Sequence, residues 1–327
     1  MRASIFTLWY NIVMERKAYF TKLKQCRLCP RLCGVDRLSG RQGFCGTAGE
    51  DAEIARAALH MWEEPCISGT RGSGTVFFNH CNLKCVYCQN QAISRSSTRG
   101  IRVSPERLSE IFLELQVQGA HNINLVTPTH YACQIALAVD LSRKSGLGLP
   151  VIYNCGGYEE ADTINFLGDR VQIYLTDFKY WDRLLSREYS QAPNYRARAI
   201  KALDVMVQCA GDPILDKDGI LQRGVIVRHL VLPGAWEDSI KIIGFLHKRY
   251  GERIYISVMN QYTPPTGCIL PDKLRQPLCH EEYERVLQYA EEIGVENGFM
   301  QYGGTVSESF IPDFDGHGVL KRNDFMV

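Results

Sequence analysis

Six short β-rich runs alternate with amphipathic helical stretches from Thr75 onward, and this alternation constrains the fold more than any other feature of the sequence. Repeated strand–helix units of this kind predict a parallel sheet covered by helices. Six parallel strands would make most of a barrel. The candidate strands are TVFFNH (75–80), NINLVT (122–127), PVIYN (150–154), VQIYLTD (171–177), VIVRHLVL (225–232) and RIYISVM (253–259).

Two of the helical stretches carry clear start and stop signals. Ser104 and Pro105 predict a helix start, and Gly119 predicts its end. A later helix is predicted to end at Gly294. The apolar stripes with helical spacing, which we expect to face the core, are Leu108, Ile111, Phe112 and Leu115 in the first helix and Tyr283, Val286, Leu287 and Ala290 in the second.

Polar residues collect directly after the predicted strands. In a parallel α/β barrel the carboxyl ends of the strands open on one face, and that face carries the active site. The sequence therefore predicts that six strand ends line one cavity. The polar residues concerned are Asn79, His80, Thr127 to His130, Asn154, Asp177, Lys179, Arg228, His229 and Asn260 to Tyr262.

The length and composition suit one large α/β domain with a small appendage. The chain has 327 residues, of which 45% are hydrophobic. We predict an N-terminal helix and a cysteine-rich metal-binding lobe over residues 1–70, a partial barrel over 71–299, and a C-terminal extension over 300–327. The net charge of +1 gives no electrostatic case for a nucleic acid or an anionic membrane as partner.

Thirteen cysteines are present, and seven of them fall into two tight groups. This grouping favours metal or cluster binding over a disulfide framework. Near the N-terminus, Arg2 followed by ASIFTLWYNIVM imitates a signal peptide, but the run leads into ERK without a small-residue cleavage site and is too short to span a bilayer. We therefore predict a cytoplasmic protein with a peripheral N-terminal helix.

One cysteine group, in FFNHCNLKCVYCQN, has three members: Cys81, Cys85 and Cys88. Closed metal sites normally take four ligands, so three indicate a site with an open position. Three thiolates can hold three irons of a [4Fe-4S] cluster and leave the fourth iron for the amino and carboxylate groups of S-adenosyl-L-methionine (SAM). The alternatives are a zinc loop completed by His80 or a distant cysteine, and three free thiols.

The CxxxCxxC spacing, with Tyr87 before the last cysteine, resembles the radical SAM superfamily. CNLKCVYCQN and the upstream EEPCISGTRGSGTVFF resemble the branch related to pyruvate formate-lyase-activating enzymes, in particular its functionally undefined PflX-like relatives. The resemblance covers nearly the whole chain. It implies a partial (β/α)6 TIM-like barrel, a [4Fe-4S] cluster on Cys81, Cys85 and Cys88, and reductive cleavage of SAM.

The resemblance also implies an activity. An oxidoreductase of this type takes one electron from flavodoxin or ferredoxin and forms a 5′-deoxyadenosyl radical, which abstracts hydrogen from a glycine of a partner glycyl-radical enzyme. Fold and cofactor do not determine the substrate, so another protein, a peptide or a small molecule is an alternative. A different class of function, a non-catalytic protein that holds zinc at both cysteine groups, is a further alternative.

Several residues are candidates for binding SAM. Thr127 to His130 stands where the family often has Gly-Gly-Glu, and Thr129 is the candidate acceptor for the SAM ammonium group; a helix-initiating turn is the alternative. Tyr87 adjoins a cluster ligand, so its ring or backbone can contact adenine. Asn154 precedes two glycines that permit close backbone approach, and it either binds ribose hydroxyls or caps a helix.

Charged residues supply the remaining candidates. TDFK resembles the family's Asp-x-Lys, which implies that Asp177 and Lys179 contact SAM or the substrate backbone; a solvated ion pair is the alternative. VRHLVLPG resembles the segment whose basic residues approach the SAM carboxylate and ribose. Because side chains alternate along a strand, only one of Arg228 and His229 can face the barrel interior.

The other cysteine group lies in CRLCPRLCGVDRLSGRQGFCG. Four thiolates meet the count for a closed site, either structural zinc or an accessory iron–sulfur cluster, and partial use is the alternative. The cysteines of this group are Cys26, Cys29, Cys33 and Cys45. Cys66 either lines the cavity mouth or is buried. We expect Cys133, Cys155, Cys209, Cys268 and Cys279 to be buried structural thiols.

Overall fold

The computed structural model describes residues 16–95, 100–301 and 311–321. The N-terminal helix predicted over residues 3–14 lies outside these ranges, although residues 16–20 are helical. Ten strands are present among the described residues: β1 (Ala52–His60), β2 (Ser73–Phe78), β3 (Ile101–Val103), β4 (Ile123–Val126), β5 (Val151–Cys155), β6 (Ile173–Asp177), β7 (Ile214–Leu215), β8 (Leu221–Leu230), β9 (Tyr255–Met259) and β10 (Gly298–Met300).

All six predicted strands exist, and they lie side by side in the order β2-β4-β5-β6-β8-β9. Every neighbouring pair in this series is parallel. The sheet does not close on itself, because its path ends at β3 on one side and β10 on the other. The predicted α/β architecture with a partial parallel barrel is therefore confirmed.

Short additional strands extend the two edges. On one edge, β1 pairs antiparallel with β2 and β3 pairs antiparallel with β1. On the other edge, β10 runs parallel to β9, and β7 forms a small antiparallel pair with β8. None of these strands was predicted from the sequence. Since β1 and β10 join segments before residue 71 and after residue 299 to the central sheet, the proposed division into three parts stays a prediction.

The helices lie between the strands, as the repeated units require. They are α1 (Pro65–Ser68), α2 (Gln91–Ser94), α3 (Pro105–Val117), α4 (Ala132–Lys144), α5 (Ala161–Leu167), α6 (Arg183–Ser190), α7 (Tyr195–Ala210), α8 (Trp236–Tyr250) and α9 (His280–Glu292). Ser104 caps α3 by accepting a hydrogen bond from the Arg107 N–H, and the predicted apolar stripes of α3 and α9 are buried. Each helix of the described ranges is too short or too polar to cross a membrane.

The segment that follows β1 packs against the central strands of the sheet. Cys66 and Ile67 of α1 pack among apolar residues of β5, β6 and β8. Of the two alternatives for Cys66, lining the cavity mouth or burial, the structure shows burial. The two residues directly before α1, Glu63 and Glu64, face the cavity described below.

The five scattered cysteines differ in exposure. Cys133 and Cys155 are buried, as predicted. The prediction of burial is wrong for Cys279, which is exposed because it occupies the N-cap position of α9, outside the apolar stripe of that helix. Cys209 and Cys268 are partly exposed.

Candidate active site

A cavity of about 710 Å³ lies at the carboxyl ends of the parallel strands. This volume is in the range of sites that enclose cofactors and small molecules. All six predicted strands contribute to its lining, as the sequence predicts. The lining residues from these strands and the turns after them include Phe77, Val126, Thr127, Asn154, Asp177, Lys179, Arg228, Leu230, Met259 and Gln261.

The three cysteines of the CxxxCxxC loop line this same cavity. The loop follows β2 directly, so the strand positions its first residues at the cavity edge. Two non-glycine residues of the loop, His80 with φ 74° and Lys84 with φ 53°, adopt left-handed backbone conformations. Such conformations are costly for residues with a Cβ and cluster at functional sites.

Each of the three sulfurs receives a hydrogen bond. Ser190 Oγ donates to Cys85 Sγ over 3.0 Å, Ser94 Oγ donates to Cys88 Sγ over 3.2 Å, and the Leu83 N–H donates to Cys81 Sγ over 3.3 Å. Hydrogen bonds to sulfur stabilise thiolates and tune the potential of an iron–sulfur cluster. The donor set therefore fits the cluster that the family resemblance implies.

Burial, together with the adjacent Cys85 and Cys88 thiols, raises the pKa of the Cys81 thiol to about 12. A metal centre lowers the pKa of a coordinating thiol far enough to deprotonate it. Across the described ranges, no three His, Cys, Asp or Glu side chains converge as ligands of one metal ion.

His80, the residue considered as a fourth zinc ligand, does not face the cavity. Its imidazole Nε2 lies 3.0 Å from Glu53 Oε2. An added Cβ on Gly46 would lie 3.3 Å from its Nδ1, so the ring packs against the N-terminal segment. The structure therefore gives no support to the zinc loop completed by His80.

Tyr87 lies in the cavity wall, between the second and third cysteines of the CxxxCxxC loop. Its hydroxyl accepts a 2.8 Å hydrogen bond from the Tyr180 hydroxyl, and its ring meets those of Tyr180, Tyr189 and Tyr262 edge-on. Tyr180 also lies 2.6 Å from Ser190 Oγ, the donor to Cys85. This aromatic group excludes water from one side of the cysteine loop, because all its rings are largely buried.

Arg228 is the residue of the pair in VRHLVLPG that faces the cavity. Its Nε donates to Glu64 Oε1 over 2.8 Å, and its Nη2 donates to both Glu63 and Glu64. Burial opposes ionisation of Glu64, but the Arg228 charge and hydrogen bonds outweigh it and lower the pKa of this carboxyl. The result is a buried network of two carboxylates and one guanidinium on the cavity wall.

Glu63 connects this network to neighbouring strands. Its Oε1 accepts hydrogen bonds from Asn124 Nδ2 over 2.8 Å and from Asn154 Nδ2 over 3.4 Å. Asn154 is thus held in the cavity wall by a side chain rather than by a helix, so it does not act as a capping residue. Neither Glu63 nor Glu64 was predicted as a site residue, because they come from the loop after β1 and not from a predicted strand end.

Asp177 and Lys179 form an ion pair of 2.5 Å at the end of β6, and both line the cavity. The Tyr195 hydroxyl supports their backbone: it accepts from the Lys179 N–H over 2.9 Å and donates toward the Gly156 and Asp177 carbonyls. Tyr195 therefore links the ends of β5 and β6. No motif in the sequence marks this role, since Tyr195 begins a helix some distance along the chain.

Gly157 makes the same junction possible. Its φ is 76°, and an added Cβ would stand 2.1 Å from the Asp177 carbonyl oxygen and 2.6 Å from the Tyr195 hydroxyl. Gly157 therefore allows the turn after β5 to approach the end of β6 closely. This approach positions the Asp177 and Lys179 backbone against β5.

We expect Gly157→Ala to destabilise the protein by about 3 kcal/mol or more, because backbone strain adds to a clash with a main-chain carbonyl. The matched control is Gly294→Ala, at φ 78° with open space around the added methyl group, which should cost only about 1 kcal/mol. Urea unfolding of both variants measures the difference. Equal losses of stability would show that the contact with Asp177 is unimportant.

Two predicted cofactor-binding residues are not brought to the cavity. His229 points outward from β8, where Nδ1 lies 2.7 Å from the Phe178 carbonyl and Nε2 lies 2.8 Å from Ser239 Oγ. Thr129 is buried, and its hydroxyl donates to Glu159 Oε1 over 2.7 Å. The chain turns away after β4 at Thr127, which has φ 61°, so Thr127 rather than Thr129 lines the cavity.

Glu159 is a buried carboxyl group behind the cavity wall. Its second oxygen accepts a 3.0 Å hydrogen bond from the Tyr153 hydroxyl. Burial raises the pKa of this carboxyl to about 8, even though the hydrogen bonds from Thr129 and Tyr153 act in the opposite direction. The protonated form is therefore favoured in the folded state.

The pKa of Glu159 in the folded protein lies above its unfolded value of 4.5. The stability that this carboxyl group contributes is therefore fully present below pH 4.5 and is lost as the pH rises toward about 8. We expect Glu159→Gln to gain stability relative to the parent protein over this interval, by a few kcal/mol at most. Denaturant unfolding of both proteins at several pH values measures the difference. His130 and His229, whose pKa values burial lowers to about 3 and about 4, give a slope of opposite sign that is common to both proteins. A pH-independent difference would contradict the prediction.

The four cysteines of the N-terminal group lie near one another. The Cys29 thiol interacts electrostatically with the thiols of Cys45 and Cys26, and the Cys26 thiol interacts with that of Cys33. Three of these cysteines are buried and Cys33 is exposed. The four residues therefore lie together, but as they do not converge on one ion, the tetrathiolate site stays a prediction at this point.

No family model matches the chain. An uncharacterized protein of Methanocaldococcus jannaschii is 28% identical over 282 residues, which cover 84% of this chain and 76% of that protein. This likeness extends over most of both chains but brings no activity with it.

Two solved structures are similar in part. The crystal structure of methylornithine synthase (PylB) aligns with a TM-score of 0.45 and 16% identity, covering 67% of this chain and 68% of that one. A radical SAM methyltransferase from Sphaerobacter thermophilus aligns with a TM-score of 0.48 and 12% identity, covering 92% of this chain and 94% of that one. These scores are too low to support a conclusion about chemistry, and the fold is established by the strand order of the chain itself.

Proposed function

We propose that the protein is a radical SAM enzyme. The observation that carries the proposal is the placement of Cys81, Cys85 and Cys88 on the wall of the cavity that all six parallel strand ends line. Each sulfur has its own hydrogen-bond donor. A [4Fe-4S] cluster held by three thiolates would keep its fourth iron for an external ligand. The family resemblance of the cysteine loop points to the same chemistry.

The charges of the cavity suit SAM, which carries a sulfonium, an ammonium and a carboxylate group. Among the described residues, the charged lining consists of three carboxylates, Glu63, Glu64 and Asp177, and two cations, Lys179 and Arg228. The carboxylates complement the sulfonium and ammonium groups of SAM, and the cations complement its carboxylate. Asn154, Asp177, Lys179 and Arg228 are the residues that would hold the cofactor.

A [4Fe-4S] cluster with SAM bound would supply one-electron reductive cleavage of the C5′–S bond to methionine and a 5′-deoxyadenosyl radical, the species that would abstract hydrogen from the substrate. The electron comes from a reductant of the flavodoxin or ferredoxin class. The residues of the chain bind, orient and shield: the cysteines hold the cluster, the polar strand ends hold SAM, and the tyrosines around Tyr87 exclude water.

Anaerobic reconstitution with iron and sulfide, followed by addition of dithionite and SAM, tests the reaction class. We expect an EPR signal of a reduced [4Fe-4S] cluster and formation of 5′-deoxyadenosine with methionine. Absence of both products in a protein that retains its iron would overturn the proposal. Zinc bound at the CxxxCxxC loop in place of iron would favour the non-catalytic binding protein instead.

For the substrate, we propose a glycine backbone in a partner glycyl-radical enzyme. The support is the resemblance to the activating enzymes, together with the position of Asp177 and Lys179 at the cavity wall, where the resemblance implies a contact with SAM or the substrate backbone. Transfer of one hydrogen atom from the glycine Cα to the 5′-deoxyadenosyl radical would give 5′-deoxyadenosine and a glycyl radical.

A pyruvate formate-lyase-type glycyl-radical enzyme labelled with α-deuterated glycine tests this substrate. We expect a glycyl-radical EPR signal in the partner and deuterium in the 5′-deoxyadenosine. If 5′-deoxyadenosine forms without deuterium and the partner shows no radical, the reaction class stands and the glycyl-radical role is wrong. The substrate is then a different protein, a peptide or a small molecule.

A further inference from the structure

The loop that carries Cys26, Cys29 and Cys33 is folded by its own backbone hydrogen bonds. The Cys26 N–H donates to the Val35 carbonyl over 3.0 Å, and the Gly34 N–H donates to the Cys26 carbonyl over 2.9 Å. Gly43 packs against this loop so closely that an added Cβ would lie 2.6 Å from Cys33 Sγ. The segment that ends in Cys45 is thereby brought beside the first three cysteines.

The most unusual side chain of this region is Arg37. In the sequence it lies within twelve residues of each of these cysteines. It is fully buried, with no exposed surface. Its Nη1 donates to the His130 carbonyl over 2.6 Å, but Nε and Nη2 have no hydrogen-bond partner. In the described ranges, no carboxylate forms an ion pair with Arg37.

A buried guanidinium without a compensating charge is expensive, because an ion transferred from water to a low-dielectric interior loses its hydration. Charge compensation therefore has to come from groups around Arg37. Its guanidinium is beside the Cys26 thiol; burial raises the pKa of this thiol, and the positive charge of Arg37 acts in the opposite direction. Neutral thiols would not compensate the charge.

We propose that Cys26, Cys29, Cys33 and Cys45 hold a metal centre as four thiolates, with the buried Arg37 as its counter-ion. Four thiolates around a divalent zinc ion or an oxidised [4Fe-4S] core leave two negative charges in total. Arg37 neutralises part of this charge, and its unpaired N–H groups donate to cysteine sulfur. This centre is separate from the one at Cys81, Cys85 and Cys88 and does not depend on SAM cleavage.

Zinc and an iron–sulfur cluster share this tetrathiolate chemistry. Metal analysis distinguishes them.

The test uses the full chain with Cys81, Cys85 and Cys88 all replaced by alanine, so that the first cluster is absent. We expect this protein to retain either one zinc ion per chain or iron with acid-labile sulfide and visible absorption. A protein that is folded by circular dichroism but binds neither metal, after anaerobic reconstitution as well as when isolated, would overturn the proposal. Because SAM cleavage is not measured, this result is independent of the proposed function.

Ligand variants in the same background identify the residues. Cys29→Ser and Cys45→Ser should lose the metal, whereas Cys133→Ala should retain it. Cys133 is a matched control because it is fully buried in the same apolar cluster as Cys26 but is not a proposed ligand. Loss of metal from Cys133→Ala, or retention by both serine variants, would contradict the ligand assignment.

Substitution of Arg37 tests the counter-ion. We expect Arg37→Met to release the metal to a chelator about 10- to 100-fold more readily, as changes to groups that support metal ligands commonly do. Arg37→Lys, which keeps the charge, should fall between Arg37→Met and the parent. Equal metal affinity in Arg37→Met and the parent protein would overturn the role of Arg37, and the chelator assay needs only the folded fraction.

Discussion

Replacing Cys85 with alanine is expected to abolish formation of 5′-deoxyadenosine from SAM under reducing conditions. Cys85 is buried, and its sulfur accepts the hydrogen bond from Ser190. With two thiolates left on the CxxxCxxC loop, the cluster loses one of its three protein ligands, and the remaining irons gain an exposed position. We therefore expect loss of cluster iron as well as loss of activity.

Cys209→Ala is the matched control for this prediction. Cys209 is a partly exposed thiol at the end of α7 and does not line the cavity. This variant should keep the iron, the EPR signal and the activity of the parent protein. If Cys85→Ala still cleaved SAM at the parental rate, the assignment of the CxxxCxxC loop as the cluster site would be wrong.

Replacing Arg228 with methionine is expected to lower the free energy of unfolding by about 3–5 kcal/mol, the cost of breaking a buried ion pair by removing one partner. The variant leaves the Glu63 and Glu64 carboxylates on the cavity wall without their counter-charge. Urea unfolding at neutral pH measures the loss. The deficit should shrink in acid. Arg228 lowers the pKa of Glu64 in the parent protein, so the stability that this pair contributes is present above the ordinary pKa of 4.5 and is lost as the pH falls below it.

A triple variant separates charge from packing. Glu63→Gln and Glu64→Gln combined with Arg228→Met remove the whole ion network while keeping similar volumes. The triple variant leaves no charge of this network buried without a partner, so it should recover much of the loss. If the single and triple variants were equally unstable, the cost would come from packing and not from unpaired charge.

The same two variants test the cofactor site. We expect both to bind SAM more weakly than the parent protein. Arg228→Met removes a cation that would face the SAM carboxylate, and the triple variant also removes two carboxylates that would face the cationic groups of SAM. Calorimetric titration with SAM measures the affinity. Unchanged affinity in the stable triple variant would remove Arg228 from the proposed binding set and would show that the charges of Glu63 and Glu64 do not contribute to SAM binding.

Strand periodicity placed Asn154, Asp177 and Arg228 at strand ends, and these residues line the cavity. It did not indicate where Thr129 lies or that Glu159 is its partner. A left-handed turn at Thr127 redirects the chain, so Thr129 packs against the buried Glu159 instead of the cavity.

By itself, the sequence determined the parallel α/β fold and the grouping of Cys81, Cys85 and Cys88, because both are encoded in local periodicity and spacing. It also showed that only one of Arg228 and His229 faces inward, since side chains alternate along a strand. Only the tertiary structure decided which one does so. Only the tertiary structure, likewise, brought Glu63 to Asn154 and left Arg37 buried beside Cys26. These contacts join residues from separate elements, and their positions depend on packing between those elements rather than on the order of neighbouring residues.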